Sequence, residues 1–168
     1  AIDTKKPNGL FANNARTIYK IKNLQRLLSN YDDFSKPLSI VEAIRFFNQA
    51  YNGGDTKYYR VVPPPADLNK LSDMMPQHPN NSRGSRLQSF MDSTKQIVRV
   101  SYTMADIGSV RMKEIVKQVR PRIDSIFDPQ QYNVKLTGHS LVFLKSNDYL
   151  LNNLFESLLI EIILITIV

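Results

Sequence analysis

The chain has 168 residues, 42% of them hydrophobic and 22% charged, which suits one globular domain with a real core and argues against global disorder. Its 22 basic and 15 acidic residues give a net charge of +7, but Lys and Arg are scattered with no clustered footprint, so nucleic acid is not an expected partner. Cysteine is absent, which excludes disulfide scaffolds, thiolate zinc sites and thiol nucleophiles.

The opening AIDTKK has no basic n-region and no apolar h-region, so it is not a signal peptide; both termini read as cuts within a longer chain. Thr4 to Gly9 (TKKPNG) reads as a turn, because Pro, Asn and Gly supply one fixed φ and sites tolerant of positive φ. Asn13 or Asn14 then offers an N-cap, and Ile18, Ile21, Leu24 and Leu28 recur at helical spacing. Ser39-Ile-Val-Glu42 has the form of a capping box. It opens a second helix with Ile40, Ile44, Phe47 and Tyr51 on one face, stopped by Asn52-Gly53-Gly54.

Residues 55–86 read as a long loop insertion, with Pro63-Pro64-Pro65, Pro76 and Pro79; Leu68, Leu71, Met74 and Met75 suggest a short helix inside it. Gln96 to Met104 is the clearest strand, with Val98, Val100, Tyr102 and Met104 on one face and Arg99, Ser101 and Thr103 on the other. Leu87 to Met91 is its hairpin partner across Asp92-Ser93-Thr94-Lys95. Ser109 to Phe127 gives the best helix, its apolar arc formed by Met112, Ile115, Val116, Val119, Ile123, Ile126 and Phe127. Pro121 is expected to bend or end it. Tyr132, Val134 and Leu136 then alternate with Asn133, Lys135 and Thr137 in a last strand ending at Gly138. With a first strand ending at Ala1-Ile2-Asp3, the order is (β)αα–ββαβ. The fold class is therefore α+β, a ferredoxin-like split βαβ with an inserted helix and long loop.

Residues 147–168 differ in character. From Ser157 only Glu161 and Thr166 interrupt an apolar run, which reads as the start of a transmembrane helix on a domain of residues 1–146. The competing reading is an amphipathic helix packed on the sheet. Tyr149 and Phe155 suit the membrane interface. Glu161 in lipid would be costly and functional, whereas Glu156 and Glu161 at headgroup depth or in the domain–membrane junction are cheap, and the junction is preferred.

Catalytic patterns are missing. His78 and His139 stand apart without ligand spacing, no nucleophile elbow or phosphate loop occurs, and Asp32-Asp33 reads as a solvated helix end. No enzyme, metal or cofactor is expected. Tyr58, Tyr59, Met74 and Met75 are the candidate contacts for an amphiphile, since aromatic and Met side chains adapt to apolar shapes.

The segments IDTKKPNG, FSKPLSIVEAIRFFNQAY (Phe34 to Tyr51) and VKLTGHSLVFLKSNDYLLNNLFESLL (Val134 to Leu159) together resemble one family. They look like an extracytoplasmic loop domain of resistance-nodulation-division (RND) exporters, in the MMPL/Patched-like branch, and more like the second large loop than the first. The resemblance implies a porter-like module on the periplasmic side of the inner membrane. It also implies as partners the remainder of the same membrane protein, membrane lipid, a hydrophobic or lipid-like substrate, and further subunits of an oligomer. An interaction or sensor domain on a membrane anchor is the alternative.

Overall fold

A computed structural model describes residues 1–74 and 89–167. Its elements in chain order are β1 (Ile2–Asp3), α1 (Ala12–Leu28), β2 (Leu38–Ser39), α2 (Ile40–Tyr51), a 3-10 turn (Thr56–Tyr59) and α3 (Pro65–Met74). After them come β3 (Ile97–Val98), β4 (Val100–Ser101), α4 (Gly108–Ile126), β5 (Asn133–Val134) and α5 (His139–Ile167). The chain is α+β, as expected.

β1 lies between β3 and β5 and runs antiparallel to both, with Ile2 opposite Val98 and Val134. β3 and β5 are therefore parallel to each other, and α4 carries the chain from one to the other. β4 pairs instead with β2. The hairpin is present: Met91 bridges Val98, and the Asp92 carboxylate accepts from the amides of Gln96 and Ile97. Leu87 lies outside the described residues. The alternation is as read, with Val98 buried, Val100, Tyr102 and Met104 half-buried, and Arg99, Ser101 and Thr103 exposed.

The core gathers the stripes of the helices. Ile18 and Ile21 of α1, Ile44 of α2, Leu68 of α3, Ile115 of α4 and Phe127 are each at most 2% exposed. Removing such side chains from water, at about 25 cal/mol per Å² of apolar surface, is the main driving force here. On α2 the buried face is Ile40, Val41, Ile44 and Asn48; Phe47 is half-buried and Tyr51 is 68% exposed, so the expected stripe is rotated. Asn48 turns inward because its side-chain amide donates to the Tyr58 carbonyl, which ties α2 to the 3-10 turn.

Several local expectations are corrected. Neither Asn13 nor Asn14 caps α1; with Ala15 they adopt left-handed backbone (φ +52°, +59° and +55°), and Phe11 stands at the cap without a side-chain bond. Asparagine tolerates this conformation, while Ala15 is held there at a cost of about 1–2 kcal/mol by its complete burial. The capping box is also altered. Ser39 Oγ accepts from Val41 N, but Glu42 takes its bonds from the Ser39 hydroxyl and from Gln25 Nε2 of α1. The box thereby becomes a buried tie between two helices. Pro121 neither ends α4 nor breaks its helical backbone. Both Pro121 and Lys117 are exposed, so the carbonyl that loses its amide partner is on the solvent side.

In its described part, the 55–86 insertion is structured. Pro65 occupies the first position of α3, where proline needs no amide partner. Tyr19 Oη donates to the Pro63 carbonyl at 2.8 Å, and Leu68 is fully buried. Gly9 has no substitute, because a Cβ there would lie 2.1 Å from Thr4 Oγ1.

Candidate functional site

α5 begins at His139 rather than at Asn147. Gly138 before it has φ +143°, a conformation that side-chain-bearing residues avoid, and this sets the angle between β5 and the helix. At 1.5 Å per residue the 29 residues of α5 extend about 43 Å.

The helix has two parts. Leu141, Leu144, Asn147 and Asp148 are half-buried, and Asp148 forms an ion pair with Lys113 of α4. From Tyr149 to Ile167 every residue is exposed, and no residue of α5 is buried. The packed-on-the-sheet alternative is not what is observed. The helix is long and apolar enough to cross a membrane. Its two hydroxyls in the apolar part are satisfied within it, Ser157 donating to Leu154 O and Thr166 to Ile162 O. That internal satisfaction is what a hydrocarbon environment demands.

The four junction residues are all exposed: Tyr149 by 68% and Phe155 by 65%, with Glu156 and Glu161 likewise open. Helix geometry puts Tyr149 and Phe155 about 9 Å apart along the axis. Glu156 and Glu161 stand about 7.5 Å apart in height and about 140° apart around the helix, so one cation cannot serve both.

Beside the foot of α5 lies an apolar groove of about 360 Å³. Val100, Tyr102 and Met104 form one wall and Lys135 to Gly138 the other, over a floor of Leu24, Leu28, Ile115 and Val119; Leu141 of α5 closes one side. Tyr102 Oη is buried without a hydrogen-bond partner, and burial, with the Glu42 charge as a second cause, raises its pKa far above the usual phenol range. Phe34 meets the Tyr102 ring edge-on at 5.5 Å.

The amphiphile candidates are elsewhere. Tyr58 is half-buried and Tyr59 40% exposed on the 3-10 turn against α2, and neither lines the groove. Met74 is the last residue of α3, while Met75 and His78 lie outside the described residues. The groove escaped sequence reading because its walls come from residues about 35 positions apart, although the alternation of Val100, Tyr102 and Met104 is a trace of it. Among the described residues no group of three or more His, Asp or Glu side chains could hold a metal ion.

Compared with protein-family models, curated proteins and solved structures, the chain gives no significant match.

Proposed function

We propose that this chain is an extracytoplasmic, porter-like domain of an RND-type exporter of the MMPL/Patched-like branch. In this reading it sits on the periplasmic side of the inner membrane and helps to pass hydrophobic or amphiphilic molecules, with the ion-driven machinery in other parts of the protein. The carrying observation is α5: an apolar helix with nothing buried, docked on α4 only through its first turns. The strand order β3-β1-β5, with α4 crossing between the parallel outer strands, supports a ferredoxin-like split βαβ body behind it.

The mechanism is mechanical. β5 leads through the four residues Lys135 to Gly138 into α5, and the Lys113–Asp148 pair braces that helix against α4. Tilting of α5 in the bilayer therefore carries the α/β body with it, opening and closing clefts against neighbouring domains. No covalent step belongs to this chain.

The test uses the intact protein in proteoliposomes. An imposed proton or sodium gradient is expected to drive efflux of a lipophilic dye, and cysteines placed at Ser140 and Ile163 are expected to be, respectively, open and closed to a membrane-impermeant maleimide. A protein with α5 as its single span and no gradient-driven efflux would instead be an anchored interaction module, and the exporter reading would be lost.

A further inference from the structure

Folding gathers cations that stand apart in the sequence. A cleft of about 360 Å³ lies between the Thr4–Gly9 turn, the first turns of α1 and the Gln130–Tyr132 segment before β5. Lys5, Lys6 and Arg16 line it, and no Asp or Glu does. Asn13, Gln130 and Gln131 add neutral amides to the same walls. Thr17 Oγ1 donates to the Gly9 carbonyl at 2.9 Å and lies 3.3 Å from Tyr132 Oη, which ties the α1 side of the cleft to the β5 side.

These cations are not spent on acidic partners. Among the described residues Lys5, Lys6, Arg16 and Lys20 form no ion pair. Lys5 Nζ donates to the carbonyls of Pro129 and Gln130 at 2.8 and 3.1 Å, which holds the ammonium at the cleft and leaves one of its three protons unused. Asp3 accepts from Lys5 N and Gln96 Nε2, and Asp128 from Gln130 N. Lys20 lies 4.5 Å over the Tyr132 ring; burial first and the Arg16 charge second lower its pKa, against the pull of Asp128. A cleft lined by one sign of charge focuses the field and concentrates counter-ions.

We propose that this cleft binds a phosphate monoester through Lys5, Lys6 and Arg16, with the amides of Asn13, Gln130 and Gln131 bonding the group that the phosphate carries. A phosphate monoester brings about −1.5 to −2 charges and three acceptor oxygens, which answers two ammonium groups and a guanidinium fork. A single carboxylate leaves most of that positive charge unmatched. The volume is that of a small-molecule site, so the ligand is a small molecule or one headgroup. A soluble phosphate monoester and a lipid headgroup share this chemistry, and the test separates them. This inference goes beyond the exporter reading and does not rest on it.

Equilibrium dialysis of radiolabelled glycerol 3-phosphate against the full chain in dodecyl maltoside tests it. Saturable binding is expected, at least about tenfold weaker in Arg16→Gln and in Lys6→Gln, since each removes one charged contact to the phosphate. Both side chains are exposed, so these variants leave the core untouched. Lys117→Gln, on α4 and outside the cleft, is expected to bind as the parent does. Nanodiscs carrying phosphatidylglycerol or phosphatidic acid at equal charge then identify the source. A headgroup in the cleft weakens glycerol 3-phosphate binding only with phosphatidic acid, the phosphate monoester of the two, whereas a soluble ligand gives equal affinities. Absence of saturable binding in detergent, or binding that Arg16→Gln and Lys6→Gln leave unchanged, overturns the proposal.

Discussion

Ile115 and Ile163 are the same residue type on two helices of one chain, one 2% exposed and the other 48%. α4 carries its apolar residues as a stripe, with Lys113, Lys117 and Arg120 off it, and a body on one side can cover a stripe. Around α5, Leu154, Leu158, Leu159, Ile160, Ile162, Ile163, Leu164 and Ile165 leave no gap wider than about 80°. One protein surface touches only part of a helix perimeter, so such a helix needs apolar surroundings on every side, as a membrane or the core of a larger assembly supplies. The two helices thus call for different solvents, and substitutions should separate them.

The largest effect belongs to the core. Phe127→Ala should cost about 3–5 kcal/mol of stability, since Phe127 is 1% exposed and packed edge-on against Tyr132 at 5.4 Å. Urea unfolding measures it, and Ile163→Ala in the same assay should change stability by less than about 0.5 kcal/mol. If the two variants lose similar amounts, the contrast between the helices is false.

Next comes the converse substitution. Ile163→Arg should disfavour membrane insertion by about 2.5–3.5 kcal/mol and leave the unfolding midpoint of the body unchanged. Carbonate extraction of membranes reads the first quantity and denaturant titration the second. A fall in body stability would mean that the distal part of α5 packs on protein.

The smallest effect sharpens the body's own account. Burial raises the Asp92 pKa, but bonds from the Thr94 hydroxyl and the Ile97, Gln96 and Thr94 amides outweigh it and hold the carboxyl below its ordinary range. The native state therefore favours the charged form. Its contribution is complete above the ordinary Asp value of about 4 and disappears as pH falls through the lowered native value. Asp92→Asn should cost about 1 kcal/mol at neutral pH and flatten the stability profile below about pH 4. An unchanged profile would remove Asp92 as the source.

Much of the body was legible. The spacing of Ile18, Ile21, Leu24 and Leu28, the arc from Met112 to Phe127 and the alternation from Val98 to Met104 are local periodicities, and secondary structure with one buried face writes itself into the chain that way. The site was legible only as composition: an apolar terminal run with Tyr149, Phe155, Glu156 and Glu161 along it. The groove was not, because its walls are joined by strand pairing over long sequence separation. Gln25 reads as an ordinary polar residue of α1 until α2 brings Ser39 and Glu42 to it.

What the amino-acid order determined by itself was which segments are helical or extended, and that residues 149–167 carry apolar side chains in every direction. Those properties follow from backbone sterics and side-chain polarity acting over a few residues. Tertiary structure alone decided that α5 starts at His139, that α3 seals the core through Leu68, that the capping pair of α2 serves α1, and that β1 separates β3 from β5. Each of these depends on groups far apart in the chain satisfying one another's hydrogen bonds and apolar surfaces, and no local pattern encodes that pairing.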